Sequence, residues 1–424
     1  MERIPFVGLH AHSGVGSPFD GFGYPKDHMN YAHSNGAKAL ALTDHGNMNG
    51  LVYQVMHAKK MQAEGKDFKP IFGVEAYFIP SVAEWKEQIE VFRKDKKLAK
   101  QIDKEQSGTT IENEGASKGI TKHDINKRRH LVLLAQNQTG LNNIFKMVSK
   151  SYTGDNFYRY PRIDLALLEE YGEGVIAASA CLGGVYAGCY WENRDEGPEA
   201  ILNCMLKVTE EMQAVLGDRW YGELQWNNIP EQHELNQYII QVHERTGLKL
   251  ISTCDSHYPS PEAWQSRELY KRLGWLGRKP EWASMELPLT VDEVGYELYP
   301  KNGNQMWDSY KFYSEACGVT YNDDIVYQSI IETATIAFDR IESFLPDTTV
   351  RLPDFVVPAG TDATSYLGQL AFEGLLSVLG SKGIKQNSPQ FKDYNKRLNL
   401  ELDVINAQGF AKYFLTMKAI VDKT

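Results

Sequence analysis

Short apolar runs recur seven times in the first 260 residues of this chain, with helix-like stretches between them. The runs are IPFVGL at 4–9, AKALALT at 37–43, PIFGVE at 70–75, LVLLAQ at 131–136, GVIAAS at 174–179, YGELQW at 221–226 and LKLIST at 248–253. The intervening stretches, such as GLVYQVMHAKKMQAEG, carry apolar residues at helical spacing. Strands that alternate with helices predict βαβ units and a parallel sheet of the α/β class. Seven strands favour a closed or nearly closed barrel, whose chemistry gathers at the C-terminal strand ends.

This alternation is interrupted once and later stops. Residues 83–128 read as a charged helix followed by a loop, which predicts a surface insertion. After about residue 260 long helical patterns take over, and a Pro-rich segment at 352–360 links two of them. We therefore predict a first domain over 1–265 and a mainly helical region over 266–424.

Side chains that can bind metal ions stand at the ends of four runs. They are His10 and His12 after the first run, His45 after the second, Glu75 at the end of the third, and Asp255 and His257 after the seventh. Residues two apart in an extended segment share a face, so His10 and His12 can reach one ion. One such pair is a weak signal, but four groups at the same end of successive strands favour a metal site over scattered structural residues.

Composition limits the class of protein. The net charge of −10 argues against a non-specific nucleic-acid coat protein, which would be basic. No apolar run is long enough for a membrane span, and the start MERIPFVGLHAHSG does not resemble a secretory signal. The five cysteines are scattered and odd in number, which favours reduced thiols over a disulfide framework. These features predict a soluble, cytoplasmic protein.

Six ordered motifs carry a family resemblance. HAHSGVGSPFDG, ALTDHGNMNGL, GVEAY, HLVLLAQNQTGLNNI, SACLGG and CDSHY closely resemble the PHP (polymerase and histidinol phosphatase) domain of bacterial-type, C-family DNA polymerase III alpha subunits. The resemblance continues through LPDFVVPAGTDATSYL and LELDVINAQGFAKYFL and leaves out only the 83–128 insertion. It implies a distorted (β/α)7 barrel with up to three divalent metal ions. Residues 266–424 then resemble the N-terminal part of a polymerase palm region.

The family's metal ligands carry over onto this sequence position by position. The resemblance implies nine ligands, namely His10, His12, Asp20, His45, Glu75, His130, Cys181, Asp255 and His257. The spacing of side chains relative to the predicted strands had already indicated six of these as ligands. The other three, Asp20, His130 and Cys181, are indicated by the resemblance alone. His130 stands at the front of its run rather than the back, and spacing does not explain it. Imidazole, carboxylate and thiolate together suit two or three Zn²⁺, Mn²⁺ or Fe²⁺ ions better than Mg²⁺.

The implied reaction is hydrolysis of a DNA 3′-terminal phosphodiester by a 3′–5′ exonuclease of the proofreading type. Asp255 and His257 are the candidates for a catalytic acid or base, although they also suit a ligand role. Two alternatives stay open. The domain could be a non-catalytic, metal-stabilised scaffold that supports a polymerase palm and binds replisome proteins. It could instead be a small-molecule phosphatase of the histidinol-phosphatase type, although a polymerase-like C-terminal region argues against that.

The sequence stops before the Gly/Ser-rich motif and the paired aspartates that the polymerase family uses for polymerisation. We therefore expect no polymerase activity from the chain by itself. The expected partners are DNA with a 3′ end, replisome proteins and a second polymerase fragment that carries the catalytic palm. Two origins are compatible with this sequence. The polymerase could be split between two genes, bacterial or phage-encoded, or the chain could be a shortened form of a longer one. Either case predicts exposed apolar surface on residues 400–421.

Overall fold

A computed structural model describes residues 3–105, 125–276, 280–349 and 354–423 of the chain. Its strands are β1 (Ala39–Leu42), β2 (Lys69–Phe78), β3 (Arg129–Ala135), β4 (Phe157–Tyr158), β5 (Tyr160–Ile163), β6 (Val175–Ala178), β7 (Trp220–Gln225) and β8 (Leu250–Thr253). Its α-helices up to residue 346 are α1 (Pro25–Ser34), α2 (Leu51–Ala63), α3 (Val82–Glu105), α4 (Gln138–Ser151), α5 (Leu165–Tyr171), α6 (Val185–Asn193), α7 (Pro198–Leu216), α8 (Pro230–Thr246), α9 (Trp264–Trp275), α10 (Pro280–Ala283), α11 (Val291–Val294), α12 (Gly303–Ala316) and α13 (Asp323–Thr335).

The strands close into a ring. Strands pair in the order β1, β2, β3, β6, β7 and β8. An extended segment before α1 completes the ring, because Gly8 bridges to Leu40 beside β1 and Ala11 bridges to Ser256 beyond β8. All seven predicted runs therefore lie in the barrel, and the fold is the α/β barrel that the sequence predicted. The short β4–β5 hairpin, which the sequence did not predict, pairs with the end of β2.

One strand direction differs from the prediction of a parallel sheet. Strand β3 runs antiparallel to both β2 and β6. The reason lies in the segment between β2 and β3. A crossover helix normally returns the chain to the opposite end of a sheet before the next parallel strand. Here the chain re-enters the sheet at the end where β2 leaves it, so that β3 begins at the mouth where the other strands end.

The predicted insertion is anchored at its beginning. Helix α3 packs Trp85 and Ile89 against Ile79 and Ile125 in a small buried cluster. The Trp85 indole Nε1–H also donates to the Ile125 carbonyl at 2.8 Å. The start of the predicted insertion is therefore part of the packed structure rather than a free surface feature. Residues 106–124 of the insertion lie outside the described residues.

The first compact unit extends from Met1 to Pro346, about 80 residues beyond the boundary predicted from the sequence. Helix α13 packs against β8, where the Ser252 and Ser329 hydroxyls lie 2.7 Å apart. The following turn, Ile336–Arg340, joins the barrel's apolar cluster through Ile336 and Ala337. The helices after residue 265 therefore complete the barrel's core instead of starting a separate domain.

The second compact unit covers Asp347–Thr424. It contains helices α14 (Ala363–Ser381), α15 (Pro389–Ala407) and α16 (Ala411–Val421). Leu367, Ala411 and Leu415 form the buried centre of this small unit. Leu400 and Val404 are more than half exposed, in agreement with the predicted apolar surface. The mainly helical character predicted for this part of the chain is confirmed.

The prediction of reduced cysteines is wrong for one pair. Cys189 and Cys204 form a disulfide, with their Cα atoms 5.5 Å apart. Helices α6 and α7 pack side by side and bring the two residues together. The sequence could not predict this disulfide, because it does not show how the chain turns between the two helices that carry the cysteines. No helix within the described residues is both long and apolar enough to cross a bilayer.

Candidate metal centre

The nine predicted ligands meet at one mouth of the barrel. Three overlapping groups have ligand atoms within 4.8 Å of one another, namely His12 with His45 and His257, His10 with His12 and Glu75, and His45 with Glu75 and His130. The other three predicted ligands join them. Asp255 Oδ1 lies 3.2 Å from His10 Nε2 and from His12 Nε2. Asp20 Oδ2 lies 3.2 Å from His45 Nε2, and Cys181 Sγ lies 3.6 Å from His130 Nδ1.

Glu75 lies at the centre of this arrangement. Its Oε1 is 3.0 Å from His130 Nδ1 and 3.4 Å from His10 Nε2. Its Oε2 is 3.4 Å from His12 Nε2 and 2.5 Å from His45 Nδ1. The side chain is 1% exposed. A carboxylate with both oxygens directed at imidazoles on either side would be able to hold a divalent metal ion together with those imidazoles.

The antiparallel β3 explains His130, which spacing could not. His130 is the second residue of β3 and pairs with Tyr77 near the end of β2. It also bridges to Gly184 in the SACLGG turn. Close packing there favours glycine, because a Cβ on Gly183 would lie 3.2 Å from His130 Nδ1. The front of this one strand therefore reaches the same mouth as the ends of the others.

Several buried polar atoms in the cluster have no hydrogen-bond partner. They are His10 Nε2, His12 Nε2, His45 Nδ1, both carboxylate oxygens of Glu75, and Asp255 Oδ1. These atoms lie close together, yet none is oriented to donate to or accept from its neighbours. A buried polar atom without a partner costs roughly 1–3 kcal/mol, so native proteins rarely leave one. Atoms that converge on shared points without bonding one another fit metal ions, and the donor set of nitrogen, oxygen and sulfur suits transition metals.

The backbone has an unusual left-handed conformation at one predicted ligand and at the residues just before two others. Asp255 itself has a positive φ of 47°, and Phe19 and Ala180, each just before a ligand, have φ of 64° and 60°. Such conformations cost non-glycine residues of order 1–2 kcal/mol and persist where surrounding contacts enforce them. They turn Asp20, Cys181 and Asp255 toward the mouth.

The charges in the cluster shift one another's protonation. Burial opposes the ionisation of Glu75, but His130, His45 and His10 hold the pKa of Glu75 well below its usual range. Burial likewise disfavours the charged form of His45, yet Glu75 and Asp20 raise the pKa of His45 to about 10. Burial and then the nearby Asp255 and Glu75 carboxylates raise the pKa of the Cys181 thiol. Bound cations would replace the protons that now balance these carboxylates.

Two residues that the ligand prediction did not include hold candidate ligands in place. Glu223 in β7 accepts a hydrogen bond from His10 Nδ1 at 2.7 Å. Arg267 in α9 donates from Nη2 to Asp20 Oδ1 at 2.7 Å, although 247 residues separate the two. No sequence signal could have indicated that contact.

Asp44, which precedes His45, does not face the ligand group. Its Oδ1 accepts hydrogen bonds from the Ser13 backbone N–H at 2.7 Å and from the Ser17 hydroxyl at 3.1 Å. Ser17 Oγ in turn accepts from the His45 backbone N–H. Asp44 therefore ties the loop after His12 to the end of β1. Burial raises the pKa of Asp44 to about 6.

Comparison with known proteins identifies the family of this chain. Residues 8–226 match the PHP domain family. The DNA polymerase III alpha subunit of Aquifex aeolicus is 30% identical over 98% of this chain, and that of Borreliella burgdorferi is 29% identical over 97%. The chain spans about 30% of the length of these curated relatives. Among solved structures, an amidohydrolase from Chromobacterium violaceum is 16% identical, with a TM-score of 0.30, and covers 62% of this chain and 96% of that one.

The family match covers more than half of the chain and contains most of the ligand cluster. Homology to the bacterial polymerase subunits extends over nearly the whole sequence, including the helical region after the barrel. The chain belongs to the PHP domain family, in a form homologous to part of bacterial DNA polymerase III alpha subunits.

Proposed function

We propose that this chain is a metal-dependent 3′–5′ exonuclease that serves a bacterial DNA polymerase III alpha subunit. The observation that carries the proposal is the set of buried, unpartnered nitrogen and oxygen atoms around Glu75. Eight further candidate ligand side chains, with donor atoms that suit transition metals, surround Glu75, and the chain belongs to the PHP domain family. The relatives act in DNA replication, which makes a DNA strand the substrate that we expect.

The ligands divide into overlapping sets around Glu75. We propose that His10, His12 and Asp255 hold one ion with Glu75, and that His130 and Cys181 hold another with its Oε1. His45, Asp20 and His257 provide the set for a third. Two or three Zn²⁺, Mn²⁺ or Fe²⁺ ions in these sets would supply an acidified water and charge stabilisation for a phosphodiester.

Asp255 and His257 are also the proposed catalytic pair. His257 donates its Nδ1 proton to the Asp255 backbone carbonyl at 2.7 Å, so Nε2 is the ring nitrogen directed at the other candidate ligands. That nitrogen lies 3.5 Å from Asp20 Oδ2 at the partly exposed side of the cluster. It can therefore bind an ion or accept a proton from an incoming water. Asp255, held by its left-handed backbone, keeps the ring in this orientation.

The test uses the purified chain loaded with Mn²⁺, Zn²⁺ or Fe²⁺ and a 3′-labelled single-stranded oligonucleotide. We expect release of labelled mononucleotide, with no release by a His12→Ala variant and no cleavage of a circular strand. Metal content is measured in parallel by mass spectrometry. Bound metal without digestion would instead establish the scaffold role. Turnover of small phosphomonoesters alone would establish a phosphatase.

The partners follow from the relatives and belong to the same proposal. We expect DNA with a free 3′ end, replisome proteins and the catalytic polymerase palm, supplied by a separate fragment, to act together with this domain in the bacterial cytoplasm. Size-exclusion chromatography of the chain with the palm portion of a bacterial alpha subunit tests this. Independent elution of the two proteins would contradict the docking of a separate palm fragment.

A further inference from the structure

An arginine lies next to the metal cluster on the rim formed by β2 and β3. Arg128 lies immediately before β3, two residues ahead of His130, and both side chains contact the Tyr77 ring. His130 directs its Nδ1 at Glu75 Oε1 across 3.0 Å. Arg128 therefore faces the mouth of the barrel, one step farther out than the ligands.

Two tyrosine rings hold the Arg128 guanidinium. Its Cζ lies 3.5 Å from the centre of the Tyr160 ring and 5.1 Å from that of Tyr77. The two rings contact each other edge to face, with centres 5.4 Å apart. Tyr77 also contacts the imidazoles of His130 and His45, at 5.5 Å and 6.3 Å between ring centres. A single ring thus separates Arg128 from the ligand cluster.

Arg128 differs from its two basic neighbours in its charge environment. Arg129 forms an ion pair with Glu192, and Lys127 Nζ lies 3.6 Å from the same carboxylate. Within residues 3–105, 125–276, 280–349 and 354–423, no carboxylate lies within ion-pair distance of Arg128. Its Nε is buried and has no hydrogen-bond partner there. A guanidinium that stacks on a ring keeps its N–H groups in its own plane, where they can bind a phosphate in bidentate fashion.

We propose that Arg128, Tyr77 and Tyr160 form a subsite for single-stranded DNA beside the metal centre. In this subsite Arg128 binds the phosphate next to the one that is cleaved, and the exposed face of Tyr160 supports a base. Tyr160 is 36% exposed, and stacking on such a ring accepts any base. The subsite rests on the proposed exonuclease function, because it names how the substrate of that same site is held.

Binding to metal-free protein tests the subsite independently of catalysis. Fluorescence anisotropy of a labelled oligothymidylate is measured against salt concentration for the wild-type chain, Arg128→Gln and the matched control Arg129→Gln. We expect Arg128→Gln to weaken binding about tenfold and to reduce the slope of log Kd against log salt by about 0.7. Arg129→Gln removes an equal charge that Glu192 already neutralises, and we expect a change below about twofold.

Two further variants keep the test valid if Arg128→Gln perturbs the fold. Arg128→Lys retains the charge without the planar donors, and we expect intermediate affinity with an unchanged salt slope. Tyr160→Leu removes the stacking ring, and we expect weaker binding with an unchanged salt slope. Thermal unfolding of each variant identifies any loss of structure.

Hydrolysis separates the subsite from the proposed function. Arg128→Gln should raise KM for an oligonucleotide more than KM for bis(p-nitrophenyl) phosphate, which has no neighbouring nucleotide, whereas the control Arg129→Gln should raise neither. If no phosphodiester is cleaved but the Arg128→Gln salt slope still falls, the exonuclease proposal fails and the subsite stands. Equal salt slopes for Arg128→Gln and Arg129→Gln, or no measurable DNA binding by the wild-type chain, would overturn the subsite.

Discussion

The Nδ1–H of His10 donates to Glu223 Oε1 at 2.7 Å, and both side chains are fully buried. A carboxylate only accepts hydrogen bonds, so this contact places a proton of His10 on Nδ1 and directs Nε2 at the cluster. Thr253 and Gln225 donate to the same oxygen and hold Glu223 in place. Because His10 Nε2 lies 3.2 Å from Asp255 Oδ1 and 3.4 Å from Glu75 Oε1, Glu223 sets the orientation of a proposed ligand from outside the cluster.

We expect Glu223→Gln to weaken metal binding about 10- to 100-fold. Loss of a carboxylate that accepts a hydrogen bond from a metal-binding histidine has an effect of this size in other metalloproteins. The amide group can turn its NH₂ toward His10 and favour the wrong tautomer. Competition of the metal-free protein with a chelator for Zn²⁺ measures the change. Glu170→Gln, which alters an exposed carboxylate on α5, serves as the control. Equal zinc affinities for the wild type and Glu223→Gln would refute this role.

Cys181 should bind a metal ion as a thiolate even though the pKa of its thiol is raised in the metal-free protein. An ion within reach of the sulfur displaces the proton, because cysteine ligates metals in its deprotonated form. Co²⁺ loading should therefore produce a near-ultraviolet thiolate-to-cobalt absorption band. We expect Cys181→Ser to lose the band and Cys317→Ser to keep it. A band that survives in Cys181→Ser would exclude Cys181 as a ligand.

Arg267 should stabilise the fold through Asp20. Its guanidinium is buried and donates from Nε to the Asp20 carbonyl and from Nη2 to the Asp20 carboxylate. We expect Arg267→Ala to lower the free energy of unfolding by about 2 kcal/mol, below the range for a fully buried pair because Asp20 is partly exposed. Urea denaturation measures the change. Arg272→Ala, on the same helix, should cost less than about 0.5 kcal/mol; a similar loss in both variants would contradict the prediction.

His28 should make the metal-free protein less stable in acid. Burial lowers the pKa of His28 from 6.5 to about 4, although the Phe22 carbonyl, which accepts from Nε2, acts in the opposite direction. The unfolded chain therefore binds this proton at higher pH than the folded chain does. Stability from neutral His28 is fully present above about pH 6.5 and is lost as the pH falls toward 4, by about 3 kcal/mol in total.

Denaturant unfolding at several pH values between 7 and 4 checks this dependence. His28→Gln retains an N–H that can donate to the Phe22 carbonyl but does not titrate. We expect its stability to fall less steeply across this range than that of the wild type. Parallel pH profiles for the two proteins would show that His28 does not titrate in the way its burial predicts.

Much of the barrel, and the meeting of most candidate ligand side chains at one mouth, could be predicted from the sequence. The alternation of apolar runs with helical stretches depends on the local period of side chains along the backbone, which needs no knowledge of distant contacts. Spacing predicted six candidates because each stands at the end of a predicted strand run, and the strand ends of a barrel lie at one mouth; they are His10, His12, His45, Glu75, Asp255 and His257. The resemblance to the PHP family supplied the remaining ligands, including Asp20 and Cys181, for which spacing gave no signal.

The strand runs of the barrel, the long helices and the types of candidate ligand side chain follow from short stretches of sequence, because local backbone preference and side-chain chemistry are properties of such stretches. The direction of β3, which brings His130 to the mouth, and the packing of α13 against the barrel are evident only from the folded structure. It alone also placed Arg267 against Asp20. These contacts join residues that are far apart in the sequence. They depend on how distant surfaces of the chain pack together and not on any short stretch of residues.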